Sequence, residues 1–544
     1  MHSVAQYFHT LRYLRPVQVY GRLWFRLRQP KPELRSAPRL REREGVWREP
    51  CRRPASMYGP AGFRFLDESH EVCAAGDWNH AQWNKLWLYN LHYFDDLNAT
   101  GACQRVIWHR DLITWWMREN PPGFGNGWEP YPLSLRIVNW IKWALRENLL
   151  ESAAVQSLAI QARYLSRRLE RHLLGNHLFA NAKALVFAGA FFSGKEADAW
   201  LRRGLRLLDK EIPEQILNDG GHFERSPMYH SIVSEDLLDL LNLAEAYPST
   251  APSEIAIWRE AAQRMRRWLA AMCHPDGEIA LFNDAAVGVA CTPASLDAYA
   301  LRLGLGESVA PEDGITHLAG SGYVRLQMGP AVVLLDVGEI GPDYLPGHAH
   351  ADTLSFELSL FGQRVLVNSG TSCYGRGSER LRQRGTAAHN TVIINGLDSS
   401  EVWGAFRVAR RARPVGLSVE QRQEYLRVSC AHNGYRRLQG KPVHWREWVL
   451  REHTLTVRDR IKGRFEEAIS RFHFHPGLIL APKADNQSGV VSLPAGDALD
   501  WQVLTGKGEI GSATYHPRFG VTEENQCLTA RFTGPEASVV FRWD

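Results

Sequence analysis

The sequence lacks the features that mark several common classes of protein. Its eight cysteines are scattered without a C-x-x-C pair, which argues against a zinc ribbon and against a small disulfide-stapled domain. No apolar run reaches about 18 residues, so no membrane-spanning segment is expected. Lys and Arg exceed Asp and Glu by only 64 to 59, far less than is typical of nucleic-acid-binding proteins. The 44% apolar and 23% charged residues are those of a folded globular chain.

The first 30 residues also lack a recognisable secretory signal. They contain no uninterrupted apolar segment and no small-residue cleavage site. Dispersed thiols without pairing motifs fit a reducing compartment better than an oxidising one. We therefore expect a cytoplasmic protein, with a periplasmic or envelope-associated location as the alternative. Residues 7–28 are basic and aromatic at helical spacing, which suits either an anionic membrane surface or docking on the protein's own body.

Hydrophobic periodicity divides the rest of the chain into two parts. After a basic extension and linker (1–80), apolar residues recur at i, i+3, i+4 and i+7 through residues 81–315, as in 131–150, 155–174 and 252–272. This pattern predicts helical hairpins that stack into a toroid or a solenoid. Over residues 316–544 the period changes to two, which predicts an antiparallel β-sandwich. The predicted class is thus multidomain α + β, and the cleft between the two parts is the expected place for chemistry.

Four polar clusters stand out against this background. They are GNHLFANAKAL (175–185) with Asn176 and His177, GGHFERSPMYH (220–230) with Tyr229, GHAHAD (347–352) with His348 and His350, and TAAHN (386–390) with His389. Taken singly, each also suits a helix cap or a packing role. Alternate residues of a strand point to one face, so His348 and His350 are expected to project together, as metal ligands or as an acid–base pair.

In combination and in this order, the four clusters resemble the heparinase II/III-like polysaccharide lyases. GHAHADTLSFELSLFGQRVLVNSG followed by RGTAAHNTVIING is similar to that family's signature region, and the two upstream motifs are similar to its helical-domain motifs. The resemblance implies an (α/α) toroid joined to an antiparallel β-sandwich. It also implies a carbon–oxygen lyase that cleaves an acidic, uronate-containing polysaccharide by β-elimination, in which a base removes the C5 proton and the oxygen on C4 leaves.

The same resemblance implies catalytic roles. Asn176 matches the amide that neutralises the substrate carboxylate, and His177 lies beside it as an auxiliary donor. Tyr229 matches the general acid, which also serves as a base, and His348 matches the histidine that assists proton abstraction. The residues predicted to bind substrate are Trp128, Glu224, Arg225 and Arg384.

A structural zinc ion is the cofactor that the resemblance suggests. His350 and His389 match zinc ligands, and the third ligand position, often an Asp, falls on Asn368 in VLVNSG. A neutral amide is a poorer ligand for Zn²⁺ than a carboxylate, so the sequence leaves zinc open. Asp352 is expected to orient a histidine or to cap a turn.

Three other functions stay open at this stage. A glycoside hydrolase on a helical toroid needs two opposed carboxylates. The candidates are Glu224, Glu235, Asp236 and Asp284. A cupin-like metal oxygenase would use the two histidines of HxH with a later one, although the helical first half gives it no support. A non-catalytic glycan-binding protein of polysaccharide biosynthesis would keep the same fold without turnover.

Overall fold

A computed structural model describes residues 4–251, 253–494 and 496–544. Within them the α-helices are α1 (Val4–Leu11), α2 (Pro16–Leu27), α3 (Lys85–Tyr93), α4 (Val106–Glu119), α5 (Pro130–Leu145), α6 (Ser152–Arg167), α7 (Gly175–Phe191), α8 (Lys195–Gln215), α9 (Pro227–Ala246), α10 (Ile255–Ala271), α11 (Pro293–Arg302) and α12 (Ser378–Arg384). Three of them correspond to the helices predicted over 131–150, 155–174 and 252–272. Position 252, the first of the third prediction, lies outside the described residues, as do residues 1–3 of the extension.

The strands follow mainly after the helices. They are β1 (Gly62–Phe65), β2 (Glu68–Glu71), β3 (Gly314–Leu318), β4 (Tyr323–Met328), β5 (Ala331–Asp336), β6 (Phe356–Leu360), β7 (Gln363–Leu366), β8 (Val392–Ile394), β9 (Val402–Trp403), β10 (Arg407–Val408), β11 (Pro414–Gln421), β12 (Leu426–His432), β13 (Val443–Arg451), β14 (Thr454–Lys462), β15 (Ala468–His473), β16 (Leu480–Pro482), β17 (Ser488–Ser492), β18 (Ala498–Thr505), β19 (Lys507–Tyr515), β20 (Glu523–Phe532) and β21 (Glu536–Trp543). The predicted change from a helical to an all-β part is confirmed.

Helix α7 lies at the centre of the helical part, packed against α5, α8 and α9. Every one of its residues except His177 is buried. Its small residues allow this close packing: a Cβ added to Gly189 would lie 2.5 Å from the backbone of Leu201 in α8. Because the rest of α7 is buried, its first turn, with the half-buried His177, is the part of the helix that can contact a ligand.

The tryptophans of the helical part belong mostly to its core. The fully buried ones are Trp78, Trp87, Trp116, Trp140, Trp143, Trp258 and Trp268. Aromatic side chains bury a large apolar area each, so these residues stabilise the helical array and do not offer faces to a sugar.

Antiparallel sheets build the β part. An eight-stranded sheet has the order β11-β12-β13-β14-β21-β18-β17-β16, beside a four-stranded sheet β19-β20-β15-β8 and a five-stranded sheet β3-β4-β5-β6-β7. Side chains from all three sheets share one hydrophobic core. In β14, Leu455, Val457 and Ile461 point inward at alternate positions, as the period of two predicts.

The N-terminal extension contains more structure than a linker. Helices α1 and α2 lie across the junction of the two main parts. Gln18 donates a hydrogen bond to the carbonyl of Tyr344 at 2.9 Å on the β side, and Arg15 forms a 2.5 Å ion pair with Glu214 on the helical side. In the part of the chain that the structure describes, none of the helices is both long and apolar enough to cross a bilayer.

Candidate active site

A cavity of about 640 Å³, which we call the cleft, opens between the helical and β parts. The helical part contributes Asn176, His177, Glu224 and Tyr229 to its wall, and the β part contributes His348 and Tyr374. The clusters that contain Asn176 and Tyr229 thus lie across the junction from the cluster that contains His348. The fourth cluster, with His389, lies behind it in the interior.

Tyr229 is positioned by the start of helix α9. The Ser226 hydroxyl caps this helix by accepting a hydrogen bond from the Tyr229 backbone N–H, and Pro227 occupies the first helical turn. The Tyr229 hydroxyl lies 3.0 Å from that of Tyr374, and its ring stacks on the His348 imidazole with centroids 3.9 Å apart. Burial, with the nearby Tyr374 and Asp284, raises the pKa of Tyr229 well above its usual value, so the phenol keeps its proton and can donate it.

Asn176 is the second residue of helix α7, and its side chain contacts Glu224. The turn before it needs Gly175 at a φ of +55°, where an added Cβ would lie 2.7 Å from Glu224 Oε1. The Asn176 side-chain amide donates to that same oxygen at 3.1 Å, and Glu224 Oε2 lies 3.3 Å from Nε2 of His348. Glu224 is buried and lines the cleft, and its role in binding substrate stays a prediction.

His177 is a basic residue of the helical wall, next to Asn176. Its Nδ1 lies 3.2 Å from Glu170 Oε1, and Tyr131 packs on its ring. Burial alone would lower the pKa of His177, but the Glu170 carboxylate raises it above its ordinary value. The shift favours the charged form of this imidazole at the edge of the cleft.

Asp284 connects His348, His350 and Arg380, although the sequence suggested it only as a candidate carboxylate of a hydrolase. It is fully buried and accepts hydrogen bonds from His348 Nδ1 at 2.9 Å, from His350 Nε2 at 2.8 Å and from both terminal nitrogens of Arg380. Burial would raise its pKa, but Arg380 and the two histidines hold it well below the usual range. The anion fixes the His348 ring so that Nε2 is left for the cleft, the arrangement by which a carboxylate orients a catalytic imidazole.

The expectation that His348 and His350 share a strand face is wrong. Both residues lie in the loop before β6, which begins at Phe356, so strand alternation does not apply to them. Asp284 binds one histidine on each of its oxygens. His348 consequently faces the cleft, while His350 is fully buried.

The residues expected to hold zinc form a buried chain of polar contacts. His350 Nδ1 lies 3.3 Å from His389 Nε2, and Asn368 Oδ1 contacts the other nitrogen of His389 at 3.2 Å. Asn368 therefore does not face the point between the two imidazoles. No set of three or more His, Cys, Asp or Glu side chains suited to hold a metal ion occurs among the described residues. This geometry fits hydrogen bonding better than a three-ligand zinc site, and zinc stays a prediction.

Of the two roles expected for Asp352, capping a turn and orienting a histidine, the contacts of its carboxylate do not include the second. Its carboxylate accepts from the backbone N–H of Asn283 at 3.2 Å and not from a histidine. Burial raises the pKa of Asp352 to about 6.

The structure does not bring three of the predicted substrate-binding residues to the cleft. Trp128 is buried against Trp116 and Tyr164 in the helical core. Arg225 donates to the carbonyl of Glu339. The guanidinium of Arg384 is fully buried and donates to the carbonyl of Ala349 at 2.8 Å, so it holds the loop that carries the two histidines.

Two residues that the sequence analysis passed over do belong to the site. Tyr374 follows VLVNSG, and Arg380 is the first residue of the basic run RLRQRG (380–385). Nothing in the order of residues showed that Tyr374 would reach Tyr229 or that Arg380 would reach Asp284.

A second cavity of about 390 Å³ adjoins the cleft. Tyr229 and Tyr374 line both cavities, and the second one also contains Arg53, Arg64 and Arg518. The two tyrosines thus lie between two spaces, and there is room for a ligand on either side of them.

Fold and site together define a two-part protein, a helical toroid and a β-sandwich, with an imidazole–phenol pair in the cleft between them. Family models agree with this class: the Heparinase II/III N-terminus matches residues 144–300, and the Heparinase II/III-like C-terminal model matches residues 310–544. The chain belongs to the heparinase II/III-like family, as its motifs indicated.

Individual relatives differ in how much of the chain they match. A heparin-sulfate lyase from Bacteroides stercoris is 30% identical over 250 residues, 42% of this chain, and the match spans 37% of that enzyme. The FtsZ-localized protein C of Caulobacter vibrioides is 25% identical over 504 residues, 85% of this chain and 82% of that protein.

Solved structures show the same fold. A heparinase III structure matches with a TM-score of 0.68 at 18% identity, covering 89% of this chain and 79% of its own. The heparan sulfate lyase of Pedobacter heparinus matches with a TM-score of 0.60 at 17% identity, covering 97% of this chain and 87% of its own. The predicted toroid and sandwich are thereby confirmed.

Proposed function

We propose that the chain is a polysaccharide lyase that cleaves an acidic, uronate-containing polysaccharide by β-elimination. The observation that carries the proposal is the stacked pair of Tyr229 and His348, placed beside Asn176 and His177 in the cleft. The names of the heparin-sulfate lyase relatives support the same reaction class.

The first requirement of this reaction is to weaken the C5–H bond. A proton next to a carboxylate is very weakly acidic, and donors aimed at that carboxylate stabilise the enolate-like intermediate. His177, with its raised pKa, and the side-chain amide of Asn176 supply these donors. The Arg22 and Arg407 guanidiniums also line the cleft, and burial together with Arg407 lowers the pKa of Arg22, as expected where like charges gather.

The proton transfers follow from the different surroundings of His348 and Tyr229. His348 Nε2 takes the C5 proton as general base, because Asp284 holds Nδ1 and stabilises the imidazolium that forms. As the C4–O bond breaks and the C4–C5 double bond forms, Tyr229 gives its phenolic proton to the leaving oxygen. The raised pKa of Tyr229 favours this acid role over a role as base. In the free protein Glu224 Oε2 lies 3.3 Å from His348 Nε2, so the substrate has to displace that contact.

The direct test is the ultraviolet absorbance of the unsaturated uronate end during incubation with a panel of uronate polymers. Tyr229→Phe removes the acid proton, and we expect a loss of about 10²–10⁴-fold in kcat. Tyr58→Phe is the matched control, because Tyr58 is an exposed tyrosine away from the cleft. Full activity in Tyr229→Phe would refute the mechanism.

A hydrolase is not favoured by the positions of its candidate carboxylates. Asp284 is bound by Arg380 and two histidines, and Glu235 and Asp236 belong to a buried network with Lys142 and Lys183. Of the four candidates only Glu224 lines the cleft, so these four residues do not supply the opposed pair that hydrolysis needs.

A second candidate is a glycan-binding protein without turnover. Two observations favour it. Glu224 contacts both Asn176 and His348 in the free protein. A relative that matches 85% of the chain is named for its localisation with FtsZ and not as a lyase. Tight binding of an intact acidic polymer without any unsaturated product would establish this function. Product formation that depends on Tyr229 would exclude it.

We propose a cytoplasmic or envelope-associated place of action, which fits dispersed, unpaired thiols. An acidic polysaccharide is the proposed partner in either location.

A further inference from the structure

Helices α1 and α2 differ from the other long helices in how little they bury. None of the residues of α1 is buried, and in α2 only Gln18 is. By contrast, α7 and α9 bury nearly all their residues. Exposed apolar side chains scattered singly need no explanation, but a contiguous apolar face marks a site of interaction.

The exposed apolar residues of α2 form one stripe. Tyr20, Leu23, Trp24 and Leu27 follow the spacing i, i+3, i+4 and i+7 and are between 59% and 83% exposed. Residues at this spacing lie on one side of a helix. The other side of α2 is already docked, because Phe25 packs on the His172 ring of the helical part with centroids 4.3 Å apart.

Helix α1 repeats the arrangement. Val4, Phe8 and Leu11 follow the spacing i, i+4 and i+7 and are between 56% and 87% exposed. On its docked side, the Thr10 hydroxyl accepts from the indole N–H of Trp403 at 3.0 Å and lies 3.3 Å from the Val408 carbonyl. The outward stripes are therefore held on a fixed platform.

The charge of this segment has one sign. Residues 1–32 contain six basic side chains and no Asp or Glu, the first acidic residue being Glu33. Arg15 is paired with Glu214, while Arg26 and Arg28 are exposed beside the apolar stripe of α2. Aromatic and aliphatic side chains flanked by arginines are the composition of a helix that lies in the interface of an anionic bilayer.

We propose that α1 and α2 form a docking surface for an anionic lipid bilayer, with Tyr20, Leu23, Trp24 and Leu27 entering the headgroup region and Arg26 and Arg28 contacting lipid phosphates. Because the segment has basic side chains and no acidic ones, it favours a negatively charged surface as its partner. The stripe of large apolar side chains favours a bilayer as the partner over a soluble polyanion, because a soluble polyanion would need only the arginines.

This surface adjoins the cleft. Leu11 and Arg22 belong to the exposed helices and also line the cleft wall. A protein docked in this way holds its cleft next to the membrane, where a glycan attached to a membrane lipid would reach it. The proposal does not rest on the proposed lyase reaction and stands if that reaction fails.

The experiment is co-sedimentation of the full chain with vesicles of phosphatidylcholine, alone or with about one third phosphatidylglycerol. We expect binding to the anionic vesicles, weak binding to the neutral ones, and a decrease as salt is raised. The double variants Leu23→Ser/Leu27→Ser and Arg26→Glu/Arg28→Glu should each weaken binding about tenfold or more.

Matched controls exist elsewhere on the surface. Ile107→Ser/Leu149→Ser removes two comparably exposed apolar side chains, and Arg202→Glu/Arg206→Glu reverses two exposed arginines of α8. Both should bind vesicles like the wild type. Circular dichroism and thermal unfolding of every variant separate lost docking from lost folding.

Three results would overturn the proposal. The first is failure of the wild type to bind anionic vesicles. If the wild type instead self-associates with rising concentration and Leu23→Ser/Leu27→Ser does not, the stripe is an interface between copies of the chain. The second is equal binding to neutral and anionic vesicles. The third is binding that depends on Arg26 and Arg28 but not on Leu23 and Leu27, the behaviour of a patch for soluble polyanions.

Discussion

His348 and His350 stand two residues apart, contact opposite oxygens of the same carboxylate, and still occupy different regions of the molecule. The side chain of His348 is 14% exposed, faces the cleft and stacks on Tyr229. That of His350 is fully buried and contacts His389, and burial lowers its pKa to about 4 despite the Asp284 carboxylate. The surrounding residues therefore decide which imidazole lines the cleft and which lies in the interior, and the spacing of the two residues in the sequence does not.

Asp284→Asn should produce the largest effect, because the carboxylate supports both histidines. The amide keeps the shape of the side chain but removes its charge, which leaves the guanidinium of Arg380 buried without its partner. Breaking a buried ion pair costs about 3–5 kcal/mol, and urea denaturation should show a fall of that size in the free energy of unfolding. Glu536→Gln, which removes one side of an exposed pair with Arg460, should cost less than about 1 kcal/mol. Equal effects of the two changes would contradict the assigned role of Asp284.

Alanine at each histidine should separate activity from stability. His348→Ala is expected to lower kcat for the unsaturated product by about 10²–10⁴-fold with little change in the free energy of unfolding. His350→Ala removes one donor from the buried Asp284 carboxylate and takes away the contact at Nε2 of the buried His389, so unfolding should become easier by about 1–3 kcal/mol. The comparison fails if His350→Ala abolishes turnover while the fold keeps its full stability.

Metal analysis of the same proteins tests the zinc prediction. One zinc per chain in the wild type, lost in His350→Ala and in His389→Ala, would establish the site. A metal-free wild type prepared with zinc present would refute it and leave the hydrogen-bonded chain through Asn368 as the role of these residues.

Lowering the pH from about 7 to about 5 should destabilise the protein through its buried histidines. Burial lowers the pKa of His350 to about 4 and of His92, His230 and His473 to about 3. In the unfolded chain these groups take up protons near pH 6.5, so their contribution is complete above that pH and is lost as the pH falls towards the folded values. Asp352, whose pKa burial raises to about 6, and His177, whose pKa Glu170 raises, act in the opposite direction. Burial also lowers the pKa of His222, His389 and His432, which adds to the loss of stability at the lower pH.

Urea denaturation at the two pH values measures this effect. His92→Gln removes one of these buried histidines and should reduce the dependence of unfolding free energy on pH. A protein that is more stable at the lower pH would contradict the assignment.

Tyr374→Phe should have the smallest effect. It removes the hydroxyl that lies 3.0 Å from the Tyr229 hydroxyl, and one neutral hydrogen bond contributes about 1 kcal/mol, less than tenfold in rate. We expect a modest change in kcat with an unchanged KM and a shift of the alkaline limb of the kcat–pH profile. An unaltered pH profile would show that Tyr374 does not influence the acid.

Periodicity predicted the division of the fold well, because burial of one helix face or one sheet face leaves a direct mark on the order of residues. It predicted less about the site. Trp128 was predicted to bind substrate, whereas its ring belongs to the core. Arg384 was predicted to bind substrate too, whereas its guanidinium binds the carbonyl of Ala349. Composition shows which chemistry a side chain can perform but not whether it faces solvent or the interior.

The sequence by itself determined a helical part followed by a β part and four polar clusters in family order, since both depend on short-range patterns. Only the tertiary structure decided that Asp284 joins two histidines from 64 and 66 residues further along the chain, that Tyr374 reaches Tyr229, and that α1 and α2 wall the cleft. Each of these contacts joins segments that are distant in the sequence. Such contacts form only when the helical and β parts pack together, and no local preference of the chain encodes them.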